Sequence, residues 1–441
     1  MYLPEDVKII INTLNQHGYE AYAVGGCVRD SVLGREPGDW DITTSAMPED
    51  TKLIFPKTFD TGIEHGTVTV LINGTGYEVT TYRIDGKYED SRHPSEVVFT
   101  RNLREDLLRR DFTINAMAYN EQNGLVDIFG GLEDIQKKQI KCVGNAEERF
   151  GEDALRILRA IRFSAQLGFE IEEKTMQGIQ KLAPTLRNIS AERIQVEIVK
   201  LLCSPNPTYI AKAYELGVTA VIFPELDAMM HTTQENPHHC TTVGAHALAM
   251  LEYVGADKKM RLAALLHDIA KPQTKKLDTH GIAHFYKHHI IGADMVKTIL
   301  RRWKFDNDTI RVVTHLVRFH NQPIEVDRKA VRYALHRIGV ELFPSYLELV
   351  QAEIMAQSEY RREEKLKKLE CIHRLYLSII ENQECVTLRQ LKVNGNDLLE
   401  HGVKQGKEIG IVLNQLLDKV IQDPSLNTRH QLLAFIQKQK F

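Results

Sequence analysis

Apolar positions recur at helical spacing from the start of the chain. Val7, Ile10, Ile11 and Leu14 share one face between Pro4 and Gly18, and Gly18 suits the residue that closes such a helix. The pattern then changes. Glu20–Val24 reads as a strand broken by Gly25-Gly26, Cys27–Leu33 as a short helix, Asp39–Thr43 as a second strand and Pro48–Phe55 as a helix. Thr67–Ile72 and Tyr77–Tyr82 read as strands around Asn73-Gly74, a hairpin turn signal. From Glu147 helical spacing takes over. It runs to about Leu226, through His238–His320, and again from Leu391 to the end. The expected fold class is therefore α+β: a mixed sheet with helices over residues 1–140, then all-α segments over 141–230, 231–325 and 326–441.

Composition narrows the class without naming a function. A chain of 441 residues exceeds one core, and 43% hydrophobic with 26% charged residues is ordinary for a globular protein. No apolar run approaches the roughly 18 residues of a membrane span, and the first residues lack the basic and apolar regions of a secretory signal. Cys27, Cys142, Cys203, Cys240, Cys371 and Cys385 are scattered, which fits reduced thiols in the cytoplasm. The net charge of −3 excludes a bulk basic surface, so any nucleic-acid contact must use local basic patches. No membrane partner and no obligate protein partner is expected.

The densest chemistry lies in Val24-Gly25-Gly26-Cys27-Val28-Arg29-Asp30, followed by Asp39-Trp40-Asp41. On a strand, residues two apart share a face, so Asp39 and Asp41 would project together and call for cations between them. Magnesium suits oxygen ligands and a phosphate-bearing substrate. Glycines at Gly25 and Gly26 let the backbone approach a phosphate, the helix start adds N–H groups, and Arg29 adds a fork for phosphate oxygens. The plainer alternatives are a solvated Asp-x-Asp turn and a structural Arg29–Asp30 or Arg29–Asp39 pair. Glu78, on the strand after the Asn73-Gly74 turn, is either a third carboxylate for the metal or an exposed strand residue.

Two arginine-rich stretches follow: Arg109-Arg110-Asp111-Phe112-Thr113-Ile114-Asn115-Ala116-Met117-Ala118, and Glu152-Asp153-Ala154-Leu155-Arg156 running on to Arg159 and Arg162. In one continuous helix Asp153, Arg156 and Arg159 would span an arc of about 120°, away from Leu155, Leu158 and Ile161. A carboxylate and a guanidinium on one face offer an acceptor for an exocyclic amino group and donors for ring acceptors, a pairing that would favour cytosine or adenine. The alternative is an ordinary amphipathic helix with a weak Asp–Arg pair.

In combination and order, these segments resemble the class II tRNA nucleotidyltransferases: the CCA-adding enzymes and the related bacterial poly(A) polymerases. The resemblance runs from about Ala21 to Leu226 and includes Asp85-Gly86-Lys87-Tyr88-Glu89-Asp90-Ser91-Arg92-His93-Pro94; the run from Leu391 to Leu399 is similar to the tail of the CCA-adding group. It implies a head with the DNA polymerase β-like nucleotidyltransferase fold, then helical neck, body and tail. It implies Asp39 and Asp41 as magnesium ligands, Gly26, Arg29 and Arg110 at the triphosphate, and Asp153, Arg156, Arg159 and Arg162 in nucleotide selection or binding. The implied partners are tRNA, CTP and ATP, and the implied reaction is template-independent addition of CCA to the tRNA 3′ end with release of pyrophosphate. The stretch from Asp85 to Thr100, partly missing from family members that add only CC, is present in full, which favours CCA or A addition. A-only or poly(A) addition is the rival within the family.

A second constellation occupies the middle segment: His246, His267-Asp268, His288, His289, His315 and His320. Leu265-Leu266-His267-Asp268-Ile269-Ala270-Lys271 resembles the HD phosphohydrolase motif. Imidazoles and carboxylates suit a transition-metal ion or a mixed pair, with His246, His267, Asp268 and His288 as the ligands. The later aspartate that commonly completes such a site has no counterpart where His320 is followed by Asn321. Two further rivals follow: a metal phosphohydrolase whose head recruits RNA, and a non-catalytic RNA-binding protein.

Overall fold

Helix α1 (Glu5–Gln16) buries Val7, Ile10, Ile11 and Leu14, the stripe read from the spacing, and ends before Gly18 at φ +86°. It packs against β1 (Ala21–Val24), which is buried on both faces. α2 (Gly26–Val32) follows directly, then β2 (Ile42–Thr44), β3 (Thr58–Gly62), β4 (Thr67–Ile72) and β5 (Thr75–Thr81). Later in the chain come α3 (Leu103–Leu108), β6 (Met117–Asn120) and β7 (Gly124–Asp127). The seven strands form one sheet in the order β3-β4-β5-β2-β1-β6-β7. β2 and β5 are parallel; the other neighbours are antiparallel. Asn73 (φ +50°) and Gly74 (φ +86°) both take the left-handed conformation that a tight β4–β5 hairpin requires.

The computed structural model describes residues 1–86, 97–235 and 241–438. It divides into two compact units, Met1–Asp227 and Ala228–Phe441. Arg83–Asp85 pairs with Val97–Phe99. Most of the segment on which CC and CCA addition were distinguished, residues 87–96, lies outside the described residues.

Two expectations about the first unit need correction. Strand β2 starts at Ile42, so Asp39 and Asp41 lie in the segment leading into it, although the Asp41 carbonyl still accepts the Val24 N–H at 3.0 Å. Aspartate fits a pleated ladder poorly, and Pro37-Gly38 sits just before the pair. The single helix expected through Asp153 is in fact two, α4 (Ala146–Glu152) and α5 (Leu155–Leu167). Asp153 stands between them in extended conformation (φ −138°, ψ 104°), and its carboxylate accepts the Leu155 N–H at 3.0 Å. A side chain that caps the next helix so well interrupts the preceding one. The shared arc of Asp153, Arg156 and Arg159 is therefore not the true geometry. α6 (Ala191–Leu202) packs on α5.

The second unit contains α7 (Val243–Met250), α8 (Lys258–Leu266), α9 (His288–Arg302), α10 (Asn307–Phe319) and α11 (Phe343–Ala356). A two-stranded hairpin, Lys275–Leu277 with Ala283–Phe285, interrupts the expected all-helical run. The turn is held by Asp278, whose carboxylate accepts the N–H groups of His280 and Ile282. Near the C-terminus Leu398, Val412, Leu416, Val420 and Leu432 share a separate apolar core. No disulfide joins the described cysteines, and Cys240 lies outside the described residues.

Candidate active site

The first unit holds a cavity of about 450 Å³. Gly25, Gly26 and Arg29 line it from the β1–α2 junction, Asp41 from the approach to β2, Arg110 from just past α3, Arg156, Arg159 and Arg162 from α5, and Asp153 from the link between α4 and α5. Arg109, Asp111, Asn115, Leu155, Phe163 and Arg193 complete the wall. Seven arginines face three aspartates, so the interior attracts anions, and its volume falls in the range of small-molecule sites. Asp39 is exposed and lies outside the lining. Glu78 is exposed on β5, one position before the Val79–Ile42 pair. Among the described residues, the sets of three or more ligating side chains within 4.8 Å of one another lie in the second unit, so Glu78 forms no such triad with Asp39 and Asp41.

Nearly every guanidinium is held by a defined acceptor. Arg29 pairs bidentately with Asp30 (2.9 Å and 2.9 Å) and donates to Asn115 Oδ1 at 2.7 Å. The plainer Arg29–Asp30 pair is thus real, and Arg29 still lines the cavity. Arg109 donates twice to the fully buried Asp106 (2.9 and 2.7 Å), with Arg110 3.4 Å from its other oxygen. Arg156 donates to Glu152 and to the carbonyls of Arg149 and Arg109. Arg159 is bound to Asp111 at 2.7 Å, and Arg162 to Glu197 at 2.5 Å. Arg159 and Arg162 also stack on Phe163. Gly25 has φ +83°, and a Cβ there would stand 3.1 Å from Arg110 Nη1, so glycine serves both conformation and approach.

Partial loss of hydration raises the Asp41 pKa; Arg110 opposes the rise and Asp39 adds to it. The group still has an open edge to solvent. Burial would raise Asp111 as well, but Arg159 and Asn115 hold it down to about 2. A depressed carboxyl contributes stability above its unfolded pKa and loses it as pH falls through the folded value. Asp111→Asn should therefore cost about 2–3 kcal/mol at neutral pH. The gap to the parent protein should close as pH falls from about 4 to about 2, measured by urea titration at each pH.

In the second unit α7 presents His246, the end of α8 presents His267 and Asp268, α9 begins with His288, His320 follows α10, and Glu353 lies in α11. His267, His288 and His320 each turn Nδ1 to a backbone carbonyl, at 2.8, 2.7 and 2.7 Å. Their Nδ1 atoms carry the proton, and the Nε2 atoms face inward. Glu353 Oε2 lies 2.9 Å from His246 Nε2 and 3.1 Å from His267 Nε2. His267 Nε2 and both Asp268 oxygens are buried without a well-formed hydrogen bond. His289 and His315 stay outside the cluster; His315 bonds the Ile338 carbonyl instead.

Five participants escaped the sequence reading. Arg193, which donates to both oxygens of Asp153 (3.3 and 2.7 Å), has no local signature. Asp106 sits three and four residues before Arg109 and Arg110, a helical spacing that could have revealed it. Asp111 and Asn115 belonged to a recognised motif but had no assigned role. Glu353 faces His246 and His267 from α11; an acid flanked by Val350, Ala352 and Ile354 was its only local signal.

An arginine-lined cavity with an aspartate at its mouth, built on a mixed sheet and followed by helices, defines a polymerase-type nucleotidyltransferase head. Residues 21–141 match the poly A polymerase head domain, 168–230 the RNA and SrmB-binding site of polymerase A, and 277–436 the tRNA nucleotidyltransferase domain 2. The chain is 34% identical to the CCA-adding enzyme of Levilactobacillus brevis over 438 residues, covering 99% of this chain and 98% of that one. It is 37% identical to the CCA-adding enzyme of Bacillus cytotoxicus over 435 residues, covering 97% of each. The crystal structure of the Bacillus stearothermophilus CCA-adding enzyme in complex with CTP is similar at a TM-score of 0.77 and 32% identity, covering 100% of this chain and 98% of that one. The chain belongs to the CCA-adding enzyme family and is a tRNA nucleotidyltransferase. No described helix is long and apolar enough to cross a membrane.

Proposed function

We propose that the cavity of the first unit takes CTP twice and then ATP, and that the chain adds CCA to the 3′ end of tRNA without a nucleic-acid template. The observation that carries this is the meeting of Gly25, Arg29, Asp41 and Arg110 with Asp153 and Arg156 around one cavity. The 3′-hydroxyl of the tRNA attacks the α-phosphate, and pyrophosphate leaves. Asp39 and Asp41 would hold Mg²⁺: two carboxylates two residues apart, one partly dehydrated, form an oxygen donor set that suits this ion. Bound there, magnesium supplies charge stabilisation at the phosphate and favours ionisation of the attacking hydroxyl. Glu78 is kept as a neighbour that could join them on nucleotide binding.

Arg29 and Arg110 bind the triphosphate. Their counter-charges Asp30 and Asp106 orient them beforehand, so little reorganisation accompanies charge transfer to the leaving pyrophosphate. Gly25 and Gly26 let the backbone approach the phosphates. Asp153 accepts from the exocyclic amino group of cytosine or adenine and Arg156 donates to the ring, while Arg159 and Arg162 hold the wall against Phe163. Asp153→Ala or Arg156→Ala should lower the preference for CTP and ATP over UTP and GTP by about 10–100-fold in kcat/KM, the value of one bidentate pair. Undiminished discrimination would remove these two from base selection.

The reaction is tested with tRNA lacking its 3′ end, supplied with CTP, ATP or both. Three added residues with both nucleotides support the proposal; A alone or an open-ended A tail would point to the rival activities. We assign 1–140 to the head, 141–230 to the neck, 231–325 to an HD-type domain and 326–441 to body and tail, and place the protein in the cytoplasm with its substrate. The His267–Asp268 cluster supports a second reading. Its donors fit a transition metal, held by His246, His267, Asp268 and His288, in a phosphohydrolase centre. Phosphatase activity that survives His267→Ala would refute it.

A further inference from the structure

We infer that Phe163 is a positioning residue for nucleotide addition: its ring locks Arg29, Arg159 and Arg162 into one array, and so ties the grip on the triphosphate to the shape of the base-selecting wall. This rests on the proposed reading of the cavity and adds a residue to it. Phe163 lines the cavity and is buried. The Arg162 guanidinium lies 3.8 Å from the ring centroid, that of Arg29 5.0 Å and that of Arg159 5.4 Å. All three fall within the roughly 6 Å over which a ring attracts a cation.

The three arginines arrive by different routes. Arg159 sits one turn before Phe163 on α5, a spacing at which helical neighbours touch. Arg162 is next to Phe163 in sequence, and such neighbours point apart on a helix. Its guanidinium crosses the ring because Glu197 of α6 accepts from Nε at 2.5 Å and Gln166 accepts from Nη1 at 2.8 Å. Arg29 comes from α2. The ring itself is pinned by the fully buried Phe112, which meets it edge-to-face with centroids 5.8 Å apart.

This corner calls for an aromatic side chain. Like charges share a buried place: burial lowers the Arg162 pKa, Glu197 opposes the fall and Arg159 deepens it. The negative face of a ring offsets such repulsion, which an aliphatic side chain of similar bulk cannot do. A stacked guanidinium uses its face, so its N–H edge stays directed at acceptors. Those acceptors form a second link between the same groups. Arg29 donates to Asn115 Oδ1 at 2.7 Å, Asn115 Nδ2 donates to Asp111 Oδ1 at 3.1 Å, and Asp111 Oδ2 accepts from Arg159 Nε at 2.7 Å. A polar chain therefore joins Arg29 to Arg159, and Phe163 spans the same two arginines directly. A shift of Arg29 is carried by both links to α5, the helix that bears Arg156.

The test replaces Phe163 in the full chain by its mono-, di- and trifluorinated analogues, which keep the shape of the ring and progressively weaken its hold on cations. Single-turnover addition to tRNA lacking its 3′ end gives the CTP Kd, the rate of addition and the preference for CTP over UTP. A stepwise rise in Kd that reaches about tenfold, with a matching fall in preference, is expected. Phe163→Leu should lose at least as much, and Phe163→Tyr should restore most of it. A flat Kd and preference across the fluorinated series would overturn the inference, even if Phe163→Leu is unstable, because packing alone explains instability. Arg29→Lys should itself weaken CTP binding, and fluorination should cost less in that background than in the parent. An equal cost would show that the ring does not act through Arg29 and would also overturn the inference. Unchanged CTP affinity in Arg29→Lys would overturn the triphosphate reading of Arg29 together with the inference. Weakened affinity there beside a flat fluorinated series would overturn the inference and leave that reading standing.

Discussion

Asp41→Ala should slow addition of the first C by at least about a thousandfold, equivalent to about 4 kcal/mol of transition-state stabilisation, with tRNA binding retained. Asp41 is the one of the Asp39–Asp41 pair that lines the cavity, and partial burial there disfavours its charge in the absence of a cation. Arg110 also acts on it electrostatically, favouring its charged form. Removing Asp41 takes away an ion ligand and leaves the arginine wall intact, so affinity for the triphosphate should hold while chemistry fails. Single-turnover extension of a truncated tRNA separates the two effects. Asp39→Ala should fall in the same range if both residues hold the ion. A variant at either position that extends tRNA at the parent rate would discard the assignment of the pair.

Asp106→Ala should lower stability by about 3–5 kcal/mol and Tm by about 10 °C, and should raise the nucleotide KM. Asp106 is fully buried and accepts from Arg109, from the Thr43 hydroxyl at 3.1 Å and from the Arg83 N–H at 3.4 Å, with Arg110 beside it. The two guanidiniums hold its pKa down against the opposite pull of burial. Truncation removes the carboxylate that both arginines face, which is the costly way to break a buried ion pair. Asp106→Asn keeps the shape and one of the two acceptors, so it should retain part of the stability that the alanine variant loses. An alanine variant that melts with the parent would show that Asp106 does not organise this wall.

Much of this molecule was legible along the chain. α1 obeys its apolar spacing, and the β4–β5 hairpin forms at Asn73-Gly74, because local sterics and one-sided burial act within a few residues. Motif order likewise pointed to the residues that meet at the cavity. The misreadings occur where a polar side chain competes with the backbone. Asp153 caps α5 and cuts the helix expected to carry it. Asp39 and Asp41 stay ahead of β2, because a carboxylate fits a pleated ladder poorly, and of the two only Asp41 lines the cavity.

Periodicity and motif chemistry were enough to indicate the fold class, many of the residues that line the first unit's cavity, and the imidazole-rich segment. Packing alone decided which partner each charge would have. Arg193 reaches Asp153 across 40 residues, Glu197 reaches Arg162 across 35, and Glu353 reaches His246 across 107. Such pairs leave no spacing to read. Their charges become neighbours only when helices far apart in the chain bury their apolar faces together, and in that dry interior each must find a counter-charge or a cation.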